Sequence, residues 1–240
     1  LAPNSGGAGE NRGGLGTWLE FKVFSPNTRI TARNRDRTRF RPWGILGGRA
    51  GRPSNFILNP DTEREEILGN RDTLTAGPGD IIRFYGPGGG GRGDPLRRDP
   101  TRVLRDVARG YVSCEAAAAD YGVVVSERGC VDKAATGRRR GARIKDNIRA
   151  DFDFGPEREA WEAVFDDRAM CDLNRRLYAL PKSVRQEKRR AVFEHAVPEL
   201  AGGGPVSLAR ALADPDAVKA RLADAMAMTF GARAATANHS

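Results

Sequence analysis

Histidine, cysteine and long apolar runs are scarce in this chain of 240 residues, and each scarcity closes a class of function. Only His195 and His239 occur, so a metal site would have to be built almost entirely from carboxylates, and no HxxxH spacing supports one. The three cysteines, Cys114, Cys130 and Cys171, are widely separated and form no CxxC. That spacing argues against a disulfide framework or a zinc site and points to a reducing cytoplasm. No apolar run reaches the length of a membrane span, and no signal peptide is visible. No nucleophile can be paired with a base from spacing: His195 sits in an Arg- and Glu-rich helical stretch, and Ser113 reads as a helix cap. The chain begins at Leu1 and enters a glycine-rich stretch at once, which reads as a fragment or a processed chain.

Basic residues are plentiful. Forty Lys and Arg stand against 31 Asp and Glu, giving a formal charge of +9. Such a balance permits an anionic partner, either nucleic acid or an acidic subunit, without demanding one. Arg29, Arg33, Arg35, Arg37, Arg39 and Arg41 are all odd-numbered, so an extended strand would line them on one face. That stripe could hold phosphate or an acidic surface, although a solvated outer face is the plainer reading. Few aromatics interleave with the arginines, which leaves stacking on single-stranded bases without support.

Hydrophobic content of 39% is enough for a proper core. From Gly16, Leu19, Phe21 and Val23 alternate with Trp18, Glu20, Lys22 and Phe24, a strand with one more apolar face. Ser25-Pro26-Asn27 makes a turn, and Thr28 to Arg35 can return as a second strand. Phe56 to Leu58 and Asp80 to Tyr85 are further strands, Glu63 to Leu68 is ambiguous, and Ala76 to Asp80 reads as a turn. Asp99-Pro100 opens a helix with a cap and a preset first residue, which Gly110 stops. Ser113 caps Cys114 to Tyr121, Gly122 ends it, and Val123-Val124-Val125 reads as a buried strand. Asp132 to Arg143 is a basic, exposed helix. After Asp151-Phe152-Asp153, read as a solvated linker, the pattern is helical. Trp161, Val164, Phe165 and Ala169 share a face that Leu173, Leu177, Tyr178 and Leu180 continue until Pro181 breaks it; Ser183 starts another helix, and Asp214-Pro215 a third. Met226 and Met228 read as core filling, and the tail after Gly231 as fraying. The fold class is therefore α+β. A β-rich N-terminal part with glycine-rich loops and short helices (1–145) precedes a small all-helical C-terminal module (146–240).

The chain is organised around residues 84–100, where a strand runs into Gly86-Pro87-Gly88-Gly89-Gly90-Gly91-Arg92-Gly93-Asp94. Six glycines in eight residues invite close approach of a ligand or another chain to the backbone, or serve chain packing alone. The tract satisfies GxGxxG, but Asp94-Pro95-Leu96 delays the helix, and no Lys-Ser/Thr follows for a P-loop. Asp99 already caps the helix, where its charge opposes a phosphate.

The stretch GPGGGGRGDPLRRDPTRVLRDVARGYVSCEAAAADYGVVV resembles the C-terminal signature of the hydantoinase B/5-oxoprolinase family. That signature is a glycine tetrad, GDPL, a charged step ending in DP, then DV, G, VS, EAA and YGVV. Ser5 to Gly9 with Arg12 to Gly16, and Pro42-Trp43-Gly44 with Gly47-Gly48, agree with it. The resemblance covers residues 4–136. At position 92 arginine replaces the usual aromatic, and the family's metal motif (Asn-Asp-Pro, then Gly-Gly-Thr-His and an Asp) has no counterpart.

The resemblance implies the C-terminal portion of a B-type subunit of an ATP-dependent hydrolase of cyclic amides, such as 5-oxoproline or N-methylhydantoin. Phosphorylating the amide oxygen turns a poor electrophile into one with a good leaving group. An A-type partner is expected to bind ATP and do so. ATP and a divalent metal are implied for the complete enzyme, with none bound by this chain and no turnover by it alone. The expected partners are that A-type subunit and a small cyclic amide, with no membrane, and nucleic acid not favoured. A related ATP-dependent ketone carboxylase subunit, and a non-catalytic assembly module using Arg29 to Arg41, are the alternatives. Candidate substrate- or interface-binding residues are Gly88, Gly89, Gly90 and Gly91 by their backbone, and Asp94 and Arg97 by polar contact. Catalytic residues are not assigned.

Overall fold

The computed structural model describes residues 1–32, 37–69, 71–144, 151–203 and 208–231. The chain divides into two compact units, Leu1–Gly155 and Pro156–Ser240. The expected boundary at 145/146, Arg33, Arg35, His239 and most of the tail lie outside the described residues.

In the first unit the strands are β1 (Trp18–Lys22), β2 (Thr28–Thr31), β3 (Gly44–Ile45), β4 (Asn55–Leu58), β5 (Glu66–Ile67), β6 (Thr73–Ala76), β7 (Ile81–Tyr85) and β8 (Phe152–Asp153). They form an antiparallel sheet in the order β1-β7-β4-β5 and two separate pairs, β2-β6 and β3-β8. The β-branched and aromatic side chains of β7 make it the natural central strand. Phe84 stands opposite both Leu19 of β1 and Phe56 of β4. Val23, Phe56, Leu68, Leu74, Ala76 and Ile82 gather into one core.

The strand pairing departs from the pattern of the sequence at several places. The turn at Asn27 does not join β1 and β2 into a hairpin, because β1 pairs with β7 and β2 with β6. The second strand ends at Thr31, so Arg29 is its only arginine and the period-two stripe is not one strand face. Arg37 instead lies over the Trp43 ring, 4.8 Å from its centroid. Thr73–Ala76, which the sequence pattern does not mark as a strand, is β6. Val123 is fully buried, yet Val125 makes only an isolated bridge to Val131. Asp153 is no linker residue: β8 pairs with β3, and the Asp153 carboxylate accepts from Ala50 N–H at 3.2 Å.

Helices α1 (Pro100–Ala108), α2 (Cys114–Tyr121) and α3 (Lys133–Ile144) complete this unit. The Asp99 carboxylate accepts from Thr101 N–H, and Ser113 Oγ from Ala116 N–H, so both caps form where the sequence places them. Gly122 adopts φ 63°, the left-handed stop that glycine allows without strain. A second core joins Ala8, Val103, Val112, Ala117, Tyr121 and Val123.

The second unit contains α4 (Pro156–Val164), α5 (Asp167–Tyr178), α6 (Lys182–Ala196), α7 (Leu208–Ala211) and α8 (Pro215–Phe230). The apolar face expected to run from Trp161 to Leu180 is broken after Phe165, because Asp166 caps a new helix by accepting from Ala169 N–H at 2.8 Å, and Tyr178 lies exposed rather than on it. Trp161, Phe165 and Phe193 pack with ring centroids 4.1 to 5.5 Å apart. Met226 is buried as core, whereas Met228 is 75% exposed and fills nothing.

Candidate functional site

Three glycine-rich stretches of the first unit, residues 5–16, 43–51 and 86–93, lie side by side and exchange backbone hydrogen bonds. Gly7 N–H donates to Gly89 O at 2.8 Å, Gly89 N–H to Gly14 O at 2.9 Å, and Gly91 N–H to Arg49 O at 2.9 Å. Ile45 N–H donates to Gly91 O at 3.0 Å and Arg49 N–H to Ala8 O at 2.7 Å. Asn11 and Arg92 exchange a reciprocal pair, both at 2.9 Å. Such bonding satisfies backbone groups that burial would otherwise leave costly.

Space, not backbone angle, demands glycine here. A Cβ on Gly88 would lie 1.7 Å from Ser5 O, on Gly90 1.7 Å from Trp43 O, and on Gly91 2.1 Å from Ala8 O. None of these three has a positive φ. Gly89 differs: its Cβ would come no closer than 3.2 Å, to Gly14 N, and the residue is exposed. The partner pressed against the tetrad is the chain's own backbone.

The other two candidates separate. Asp94 is 3% exposed and its carboxylate accepts from Leu96 N–H at 3.0 Å, capping the short 3-10 turn Pro95–Arg97. Arg97 is exposed and stands 3.9 Å from Glu10. Gly89 and Arg97 are therefore the candidates that present surface, while Gly88, Gly91 and Asp94 are buried.

A buried ionic knot, not anticipated from the sequence, ties the glycine stretches to the helices. Asp106 Oδ2 accepts from Arg98 Nη2 at 2.8 Å and from Arg12 Nε at 3.1 Å. Arg98 Nη1 also donates to Glu10 O at 2.9 Å, and Arg12 Nη1 to Gly13 O at 2.7 Å. Arg140 of α3 closes the far side, donating to the carbonyls of Arg98 at 2.7 Å and Tyr121 at 3.0 Å. Burial pushes the Asp106 carboxyl up, but the bonds and charges of Arg12 and Arg98 outweigh it and hold the pKa below the ordinary value. Burial likewise lowers Arg140 and pushes the Tyr121 phenol up to about 12. One signal for the knot was available. Asp106 falls three residues after Val103, on the face of α1 that the apolar spacing marks as buried.

The family described as Hydantoinase B/oxoprolinase matches residues 1–95 by its sequence profile. The first unit belongs to the hydantoinase B/oxoprolinase family. The caprolactamase beta subunit of Pseudomonas jessenii is 39% identical over 152 residues, which are 59% of this chain and 25% of that protein. The B subunit of a putative D-/L-hydantoinase from Pseudomonas sp. (strain NS671) is 30% identical over 143 residues, 58% of this chain and 24% of its own length. The chain thus spans about a quarter of the length of these relatives. Among solved structures, nucleotide-free acetone carboxylase shares the fold with a TM-score of 0.51 at 22% identity, over 76% of this chain and 31% of that one.

The glycine tract of this hydantoinase B/oxoprolinase unit does not fit a nucleotide phosphate. The N–H groups of Gly88, Gly89, Gly91, Arg92 and Gly93 donate to Arg52, Gly14, Arg49, Asn11 and Ile45 carbonyls. The N-terminus of α1 is held by Asp99, whose bonds to Thr101 keep its carboxyl pKa low and the group charged. A phosphate there would meet spent donors and a negative charge. Among the described residues, no three His, Cys, Asp or Glu side chains gather as metal ligands would.

Proposed function

We propose that this chain is the C-terminal portion of the B-type subunit of an ATP-dependent cyclic amide hydrolase, working with an ATP-binding A-type subunit. The observation that carries the reading is the 39% identity to a caprolactamase beta subunit, an alignment that takes up 59% of this chain. In this role the glycine stretches and the Arg12-Asp106-Arg98 knot form a rigid platform beside the active site or the interface between subunits. Gly89 and Arg97, the exposed candidates, are its contact points for substrate or partner. Activation of the amide oxygen is assigned to the A-type subunit, consistent with a glycine tract whose donors are already bonded.

The test is an assay of ADP release and ring opening with caprolactam, hydantoin and 5-oxoproline. The purified chain alone should give no turnover. Adding an A-type subunit and the remaining B-type polypeptide should restore it, and Arg97→Ala should lower it. Turnover by the isolated chain, or no turnover of any cyclic amide by the complete assembly, would contradict the proposal. Bicarbonate-dependent consumption of a ketone by the same assembly would instead favour the carboxylase alternative.

A further inference from the structure

The inner face of the four-stranded sheet is covered over β7 and the start of β4 but bare over β1. Residues directly opposite in an antiparallel pair point to the same side. Leu19 and Phe21 of β1 oppose Phe84 and Ile82 of β7, which in turn oppose Phe56 and Leu58 of β4. Ile82 and Phe56 are 0% and 3% exposed, because Leu74 and Ala76 close the core over them. On the same face, Leu19 and Phe21 are 62% and 47% exposed. The outer face of β1 makes contacts of its own: Arg83 bonds Glu20 at 2.7 Å and lies 5.7 Å from the Trp18 ring. Among the described residues β1 is also a sheet edge, with β7 on one side and no strand on the other. A bare edge beside a bare apolar face invites pairing with another strand.

We infer that β1 receives a β-strand, with apolar side chains laid over Leu19 and Phe21, from the part of a B-type subunit that this chain does not contain. The inference rests on the family reading above. Relatives of this chain run to about four times the aligned length, so polypeptide able to supply that strand exists in them. A second copy of this chain is a poorer occupant. Antiparallel pairing of β1 with itself about its centre sets Glu20 against Glu20, and like charges directly opposite destabilise a pair.

The experiment grafts the matched segment of this chain into the caprolactamase beta subunit in place of its counterpart, with native residues and with Leu19→Glu plus Phe21→Glu. The same pair is made in the 240-residue chain, and thermal unfolding and limited proteolysis are followed in all four proteins. The substitutions should leave the isolated chain's midpoint unchanged. In the graft they should lower the midpoint by roughly 10 °C or prevent folding, and expose β1 to protease. Leu19→Ala plus Phe21→Ala supplies a graded loss if the glutamates abolish folding of the graft. Equal midpoints in native and substituted grafts would overturn the inference, as would an equal loss in the isolated chain. Concentration-dependent dimerisation of the isolated chain, abolished by the substitutions, would overturn it in favour of a second copy. A graft that fails with the native residues counts against the family reading itself, and the inference falls with it.

Discussion

A Cβ on Gly90 would stand 1.7 Å from the carbonyl oxygen of Trp43, forty-seven positions earlier in the chain. The two backbones touch where no side chain could be accommodated, and neither can retreat without breaking hydrogen bonds of its neighbours. Gly91, the next residue, donates to Arg49 and accepts from Ile45.

Alanine substitutions along the glycine stretches should therefore separate by position. Gly90→Ala and Gly88→Ala should each destabilise the first unit by about 3 kcal/mol, the upper end of overpacking costs. Gly14→Ala meets nothing within 4 Å and should be near neutral, and Gly89→Ala, whose Cβ would come to 3.2 Å from Gly14 N, should fall between. Denaturant unfolding of the four variants checks this, and equal costs at Gly90 and Gly14 would refute the backbone-contact account.

Removing the Asp106 charge should be more damaging than its size suggests. Asp106→Asn leaves the guanidiniums of Arg98 and Arg12 facing each other in a buried site, and breaking such a knot costs about 3–5 kcal/mol. Replacing Asp106 and Arg98 together by leucine and methionine removes the like-charge contact but leaves Arg12 without its carboxylate, so it should recover only part of that loss. Chemical denaturation of the single and double variants reads both effects.

Acid should act through the same residue. The folded pKa of Asp106 lies below the ordinary value of 3.8, so its stabilisation is present above that value and lost as pH falls through the folded pKa. Unfolding midpoints measured from mildly acidic pH downward should drop in this acid range, and drop less in the Asp106/Arg98 double variant.

Tyr121 offers a spectroscopic marker. Its phenol is pushed up to about 12 by burial, so its ionisation on ultraviolet titration should fall well above the ordinary value of 10.0. The stability it contributes is complete below about pH 10 and is lost as pH rises toward 12. Tyr121→Phe should remove that high-pH step.

In the helical unit, Asp166→Ala should cost about 1 kcal/mol, because it frees the Ala169 N–H that the carboxylate now caps. Circular dichroism on heating would show the lowered midpoint, and Asp166→Ser should restore most of it.

Features whose energetics are local were legible in the amino-acid order alone. Asp99, Ser113 and Asp214 cap helices within three residues of themselves, Gly122 stops α2, and the alternation around Leu19 and Phe21 forms β1. The ordered run from Gly86 to Val125 also carried the family. Contacts between residues far apart in the chain came only with the folded arrangement. It put β7 rather than β2 beside β1, set Trp43 and Ser5 against Gly90 and Gly88, and closed Arg12 onto Asp106 across 94 positions. A glycine tract announces that something comes close, because the missing side chain is visible in the sequence. Which atoms arrive depends on how distant segments share one core, and no short-range preference records that.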